Sequence, residues 1–318
     1  MKAYLFKRLV LALVAVVGSS VLIFFIMRVI PGDPVSALLA QAELGLTPRE
    51  IQEMREQFGL HLPIYQQYMK WVWDVLRLDP GISLVRQTPV TADFGRAFPV
   101  TAELTVLSLI FIIVLSLVLG TITAVRQDTW LDYVVRIAAI SGLAVPVFWI
   151  GIMVILVFLF WFNYTNPLIY VPFNQDPLTN LLQFLLPAFI GSIRSIAVCA
   201  RMVRSSMLDV LGEDYIRTAY SKGLRESVVV TRHAIKNAFM PVATLYGVSL
   251  IGLINGVVVV EVVFNLPGLG RLLVGAVAAR DYPTVQFLIL VSVVFASAIN
   301  LVTDLMYALL DPRVRVAS

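Results

Sequence analysis

Long, nearly charge-free windows are the feature that most constrains this chain. A helix that crosses a bilayer needs about 20 predominantly apolar residues. Windows of that kind are Leu9–Met27, Leu104–Val125, Ile137–Phe162, Leu178–Val203, Asn237–Val260 and Tyr282–Thr303. A soluble fold could not bury this surface, because 59% of the 318 residues are hydrophobic and only 14% are charged. The sequence therefore predicts an all-α membrane protein with six transmembrane helices.

The distribution of basic residues predicts the orientation. Six spans place both termini on one side, and the short loops on that side carry Arg126, Arg136 and the basic residues between Arg201 and Lys236. Short cytoplasmic loops are enriched in Lys and Arg. We therefore expect both termini in the cytoplasm, and the net charge of +4 indicates orientation rather than nucleic-acid binding.

The windows divide the chain into three parts. Residues 1–27 form an N-terminal transmembrane helix, residues 28–99 an extracytoplasmic segment, and residues 100–318 a core of five further transmembrane helices. Within 28–99, Thr47–Glu50 has the pattern of a capping box with proline at the first helical position, and Gly59 ends that helix. A second short helix is predicted over Tyr65–Leu76. We expect this segment to form a cap on the outer face.

Recognisable catalytic patterns are missing from the sequence. A phosphate-binding loop needs a glycine directly before its lysine, and none of Lys2, Lys7, Lys70, Lys222 and Lys236 follows a glycine. Any ATP that drives this protein must therefore bind to a partner. His61 and His233 lie far apart, and Cys199 is the only cysteine, so no cysteine-based metal cluster is predicted.

Several ionisable residues fall inside or beside predicted spans, among them Arg194, Glu261 and Asp304. Arg194 interrupts the fourth window, and Glu261 follows the fifth. Charges in a membrane are expensive and often mark a substrate path. Arg194 and Glu261 are therefore candidates for the translocation path, and the alternative is pairing with neighbouring helices.

Between the fourth and fifth windows, the spacing predicts one amphipathic helix over residues 206–223. Leu208, Leu211, Tyr215 and Ala219 form its apolar face, and Glu213, Asp214, Arg217 and Lys222 are polar. Gly223 stands where a helix C-cap belongs, and a second helical stretch follows over Glu226–Lys236. Such an element fits either a lipid surface or a soluble docking partner.

The same residues resemble a known family, the permease subunits of dipeptide and oligopeptide ABC importers. The similar stretches are Ile30–Pro34, Arg204–Leu211, Glu213–Ala219, Lys222–Leu224, Arg232–Ala238, Val262–Leu273, Arg280–Pro283 and Tyr307–Arg313. The chain departs from the broad importer pattern at Arg217–Ala219, where other importers have Glu-Ala-Ala. It also has Tyr220-Ser221 where this subfamily commonly has Arg-Ala.

The resemblance implies a permease in a bacterial or archaeal plasma (inner) membrane. Residues 204–236 would form its EAA-type cytoplasmic coupling loop, which docks on an ATPase subunit. Implied partners are a second permease subunit in a heterodimer, two ATPase subunits that bind ATP and Mg, an external substrate-binding protein and membrane lipid. No cofactor is expected on this chain. Related permeases carry peptides, nickel, glutathione or oligosaccharides, so the substrate stays open.

A different class of protein, an ATP-independent secondary transporter or channel, is the alternative interpretation. It predicts transport that does not depend on a partner ATPase. An intramembrane enzyme is a weaker alternative because it lacks a catalytic constellation.

The predicted orientation can be tested with reporter fusions at residue 60 and at residue 318. We expect the two fusions to report opposite sides of the membrane, with residue 318 cytoplasmic, because the short loops on that side are basic. A cytoplasmic residue 60 would contradict the six-span topology.

Overall fold

The computed structural model describes residues 2–29, 48–57, 59–163 and 170–310, and these residues are almost entirely helical. The helices are α1 Lys2–Val29, α2 Pro48–Gln57, α3 Ile64–Leu76, α4 Val90–Val125, α5 Trp130–Ala144, α6 Val147–Phe162, α7 Pro177–Leu211, α8 Asp214–Ser221, α9 Glu226–Val228, a π-helix Val229–Ala234, α10 Ile235–Val263, α11 Leu269–Ala278 and α12 Tyr282–Leu310. Thr47 and the stretches Ile30–Pro34 and 311–318 lie outside the described residues.

Five of the described helical segments are long and apolar enough to cross a membrane. They are Phe6–Val29, Val90–Val125, Pro177–Leu211, Glu226–Leu253 and Tyr282–Thr303. The remaining window, Ile137–Phe162, was predicted as one span, and the structure divides it between two helices. Its residues belong to α5 and α6, which meet at an angle of 107°, and the pair makes a sixth span if counted together.

Pro146 explains the bend between α5 and α6. Proline disfavours the helical conformation of the residue before it, and Val145 is extended, with φ −92° and ψ 131°. The Val145 N–H still donates to the Ser141 carbonyl, and Pro146 has no N–H that would need a partner. The bend therefore leaves no unpaired amide at these two residues.

The chain forms two compact units, and the first comprises Met1–Val100 and Pro267–Leu301. Here Phe24 of α1 packs edge-on against Tyr68 of α3, with ring centroids 5.2 Å apart. The buried Asp281 carboxylate accepts hydrogen bonds from the Ser83 hydroxyl and the Leu84 N–H, and so ties the loop before α4 to the start of α12. The predicted helix over Tyr65–Leu76 is confirmed as α3.

The second unit comprises Thr101–Leu266 and Val302–Ser318, and it contains α7. Asp176 caps the start of α7, where its side chain accepts hydrogen bonds from Leu178 N and Thr179 N. The Thr179 hydroxyl donates to the same carboxylate and is the main reason that the pKa of Asp176 lies below its ordinary value. Along its length α7 packs against α5, α6 and α10.

Gly120 lets α4 approach α7 closely. A Cβ atom added at Gly120 would lie 2.7 Å from the backbone carbonyl oxygen of Ala200 and 2.5 Å from the Val203 Cβ. Real Cβ atoms do not approach backbone this closely, so any side chain would force the two helices apart. Small residues at such contacts are typical of helix pairs in membranes.

Gly120→Ala should therefore destabilise the protein by about 1–3 kcal/mol, the usual cost of overpacking a tight contact. The measurement is thermal unfolding of the purified protein in detergent. Gly252→Ala is the matched control, because a Cβ at that helical glycine meets nothing within 4 Å. The control should keep or raise stability by up to about 1 kcal/mol through helix propensity. Equal melting temperatures for both variants would contradict the close approach.

Candidate functional site

The segment of residues 204–236 contains most of the predicted site, but not as one helix over 206–223. That prediction is wrong: α7 ends at Leu211, and α8 begins only at Asp214. Gly212 caps α7, and Glu213 is extended with φ −73° and ψ 147°. Glycine is poorly stabilised inside a helix, by about 1 kcal/mol relative to alanine, and here it lies where the chain changes direction.

The break changes which residues of α8 are buried. Ile216 and Ala219 face the interior of the unit, whereas Tyr215 is exposed with 42% of its surface accessible. Leu208 and Leu211, on the last turn of α7, pack against the same interior cluster as Ile216. Of the four predicted apolar residues, Leu208, Leu211 and Ala219 therefore pack against one interior cluster, and the exposed Tyr215 does not.

The turn after α8 has the geometry that the sequence predicts. Gly223 adopts φ +77°, a left-handed conformation that favours glycine, and its N–H donates to the Tyr220 carbonyl at 2.9 Å. A Cβ at Gly223 would meet nothing within 4 Å. The position therefore needs glycine for its backbone conformation rather than for space.

A π-helix forms the apolar floor beneath α8. Its residues Val229, Val230 and Ala234 are buried in the cluster that also holds Ile216 and Ala219. π-Helical turns are rare and occur frequently at functional sites. The floor positions α8 by apolar packing, and one polar contact is added where the Asn237 amide donates to the Tyr215 hydroxyl at 2.8 Å.

The polar residues that were predicted for the site project outward. Glu213, Asp214, Arg217 and Lys222 are all exposed. Arg217 and Asp214 form an ion pair at 3.4 Å, with 76% and 95% of their side chains accessible. Exposed pairs of this kind contribute at most about 1 kcal/mol, so the charges do little for stability and are available to a partner.

The two residues predicted to line a path have different environments. Arg194 on α7 is exposed on the surface of this chain. Glu261 on α10 is fully buried, and the Thr101 hydroxyl donates to its carboxylate at 2.6 Å. The structure does not bring the two side chains together through any hydrogen bond or ion pair among the described residues.

A buried ionic cluster beside this segment was not predicted. Arg204, near the end of α7, donates to both oxygens of Asp132 on α5, at 3.0 and 2.9 Å. Arg136 lies 3.2 Å from the same carboxylate, which is 0% exposed. The available signal was an aspartate in the first turn of a helix with an arginine one turn later. That pattern does not reveal the contact with Arg204.

These features define a class of protein: a multi-pass membrane protein, almost entirely helical in its described residues, with a structured loop between two spans. Residues 116–316 match the family described as "Binding-protein-dependent transport system inner membrane component". Residues 1–105 match the N-terminal family of the same membrane components. The chain belongs to this family of transport permeases.

The relatives are similar over the full length. A Brucella abortus (strain 2308) protein, described as a peptide transport system permease protein, is 39% identical over 99% of both chains. The oligopeptide transport system permease protein AppB of Bacillus subtilis (strain 168) is 36% identical over 99% of both. The dipeptide transport system permease protein DppB of Escherichia coli (strain K12) is 34% identical over 99% of both.

A solved structure supports the fold. The crystal structure of an amino acid ABC transporter with histidines matches with a TM-score of 0.52 and 16% identity. The match covers 69% of this chain and 94% of that chain. At this identity, the likeness concerns the fold alone.

The burial of α8 can be tested by hydrogen exchange of residues 214–221. Ile216→Ala should raise amide exchange in α8 by at least about tenfold, because removing a buried isoleucine usually costs 2 kcal/mol or more. Tyr215→Ala should leave exchange nearly unchanged, because substitutions at exposed positions usually alter stability by less than about 0.5 kcal/mol. A larger effect at Tyr215 than at Ile216 would show that α8 packs through its predicted rather than its observed face.

Proposed function

We propose that this chain is the permease subunit of an ATP-driven importer for dipeptides or oligopeptides. One observation carries this proposal: the chain is 34–39% identical, over 99% of its length, to permeases named for peptide, dipeptide and oligopeptide transport. The family is named for dependence on a binding protein. The substrate of this chain would therefore be delivered from outside by a separate binding protein.

In this proposal, α8 is the element that docks on an ATPase subunit. Its own side chains Ile216 and Ala219 are buried against the rest of the unit. Tyr215 and Arg217, and Lys222 directly after the helix, are exposed. Binding energy at protein interfaces concentrates in a few anchors, among which tyrosine and arginine are enriched. Tyr215 is the proposed anchor, and the Asn237 contact orients its ring. Leu211, predicted from the sequence to lie on the same apolar face as Tyr215, packs against the interior instead.

The turn and the charges support the same role. Gly223 forms the turn that follows α8, while Glu213 and Asp214 place negative charge beside the positive Arg217. Charged groups around an interface fix its register and increase the rate of encounter more than they add affinity. We therefore assign Glu213, Asp214, Arg217 and Lys222 to the orientation of the partner.

ATP hydrolysis would take place on the partners. A phosphate-binding loop requires a lysine directly after a glycine, and no lysine of this chain follows a glycine. Two ATPase subunits would bind ATP and Mg, and a second, homologous permease would complete the membrane part as a heterodimer. Both termini and the 204–236 segment would then lie in the cytoplasm, where these ATPase subunits are.

Arg194 and Glu261 differ in their suitability for the path. The exposed Arg194 is free to face the second permease or a central path, and a guanidinium there would attract a substrate carboxylate. Glu261 is enclosed within this chain and bonded to Thr101. Its proposed contribution is to hold α4 and α10 together beside that path.

The function is tested by co-expressing the chain with its ATPase and second permease subunits, then measuring peptide uptake in proteoliposomes that contain the binding protein. Tyr215→Ala should insert normally but lose co-purified ATPase by about tenfold or more, as expected for an interface anchor. Gly223→Val should also reduce uptake, because valine strains the left-handed turn.

Tyr65→Ala is the matched control, since Tyr65 is an exposed tyrosine, 66% accessible, on α3 of the first unit. It should keep both ATPase and uptake. Uptake by the chain without any ATPase subunit would favour an ATP-independent transporter or channel. Normal co-purification and normal uptake in both loop variants would remove the docking role of α8.

A further inference from the structure

Asp132 occupies an unusual position for a charged residue. It lies in the first turn of α5, is 0% exposed, and receives both hydrogen bonds of the Arg204 guanidinium from α7. The Asp128 N–H donates to the same carboxylate at 3.2 Å. Arg136, on α5 itself, adds a second positive charge at 3.2 Å and stacks on Tyr133.

Stability alone does not explain such a pair. Taking charges out of water costs free energy that good hydrogen-bond geometry can return, but apolar pairs of similar volume are often as stable or more stable, so a buried ion pair is weak evidence for a role in stability. The bidentate contact between Arg204 and Asp132, called the fork below, does constrain geometry. Its two parallel hydrogen bonds fix both the distance and the rotation of one helix against the other. Arg204 is thereby held in one register on α5.

The location of the fork relates it to the 204–236 segment. Arg204 lies roughly two helical turns before the end of α7, directly before α8. On the other side of the fork, α5 continues through the bend at Pro146 into α6, which packs against both α7 and α10. The bent pair of α5 and α6 thus contacts both α7, which leads into the 204–236 segment, and α10, which follows it.

We propose that Asp132 is a positioning residue for coupling, which ties the bent α5–α6 pair to the end of α7, so that displacement of α8 by an ATPase moves these helices together. The inference rests on the proposed function, since it assigns a mechanical role to a contact beside the docking element. Without the fork, α8 would still bind its partner, but its movement would reach α5 and α6 less completely.

The test uses the full complex and measures three quantities: ATPase subunits co-purified, ATP hydrolysed, and peptide taken up per ATP. The key variant replaces both partners with apolar residues, Asp132→Leu with Arg204→Met. We expect normal assembly and hydrolysis, with uptake per ATP lower by about tenfold, a factor within the usual range of coupling between sites. A second variant, Arg204→Lys, keeps the charge but loses the fork, and should lower the same ratio less.

Asp93→Asn is the matched control. Asp93 is also buried and lies 3.7 Å from Arg86 and 3.9 Å from Arg96, but it belongs to the first unit. This variant should alter stability without changing uptake per ATP. An unchanged ratio in the apolar double variant would overturn the inference, because a purely structural pair is replaceable by apolar packing. The same holds if uptake falls only in proportion to the amount of assembled complex.

These results are distinct from failure of the proposed function. If the unaltered complex shows no ATP-dependent uptake, the function itself is wrong, and the inference falls with it. If the unaltered complex transports and the apolar double variant transports equally well per ATP, only the role of Asp132 is rejected.

Discussion

The structure depends on the need to satisfy backbone hydrogen bonds without water. In a hydrocarbon layer, helices achieve this within one segment, so a chain this apolar must be helical wherever it crosses. The breaks then occur at residues that cannot easily continue a helix. Pro146 lacks the amide proton that would need a partner, Gly212 caps α7, and Gly223 takes the left-handed turn after α8. The loop geometry beside the spans follows from these three positions.

Much of this could be predicted from the sequence, since apolar windows and turn residues are local signals. Five windows correspond to helices long enough to span, and α3 and the turn at Gly223 have the predicted positions. The sharp angle between α5 and α6 was not predicted, because proline inside an apolar window fits both a mild kink and a complete break. Pro146 breaks the helix, but the size of the angle is not a local signal, since α5 and α6 also pack against helices that the window itself does not contain.

The choice of buried residues in the 204–236 segment also depends on contacts outside the local sequence, so it could not be predicted from helical spacing. Helical spacing placed Tyr215 on the apolar face, but two non-helical residues before α8 rotate that face, and Ile216 is buried instead. The contact between Asp132 and Arg204 joins residues 72 positions apart, and each was an ordinary charged residue of a basic loop. Pattern reasoning identifies charges within apolar windows, and it therefore selected Arg194 and Glu261 rather than a carboxylate at a helix start.

Apolar and ionic contacts have different consequences around this segment. The floor beneath α8, formed by Val229, Val230 and Ala234, excludes water but tolerates small changes in angle, because apolar contact has no preferred direction. The fork on Asp132 does have a direction, and it lies at the junction of the segment with the spans. In the proposed coupling role, the 204–236 segment would need both kinds of contact. The apolar floor would keep α8 folded during a displacement, and the directional fork would make a movement of α7 also a movement of α5.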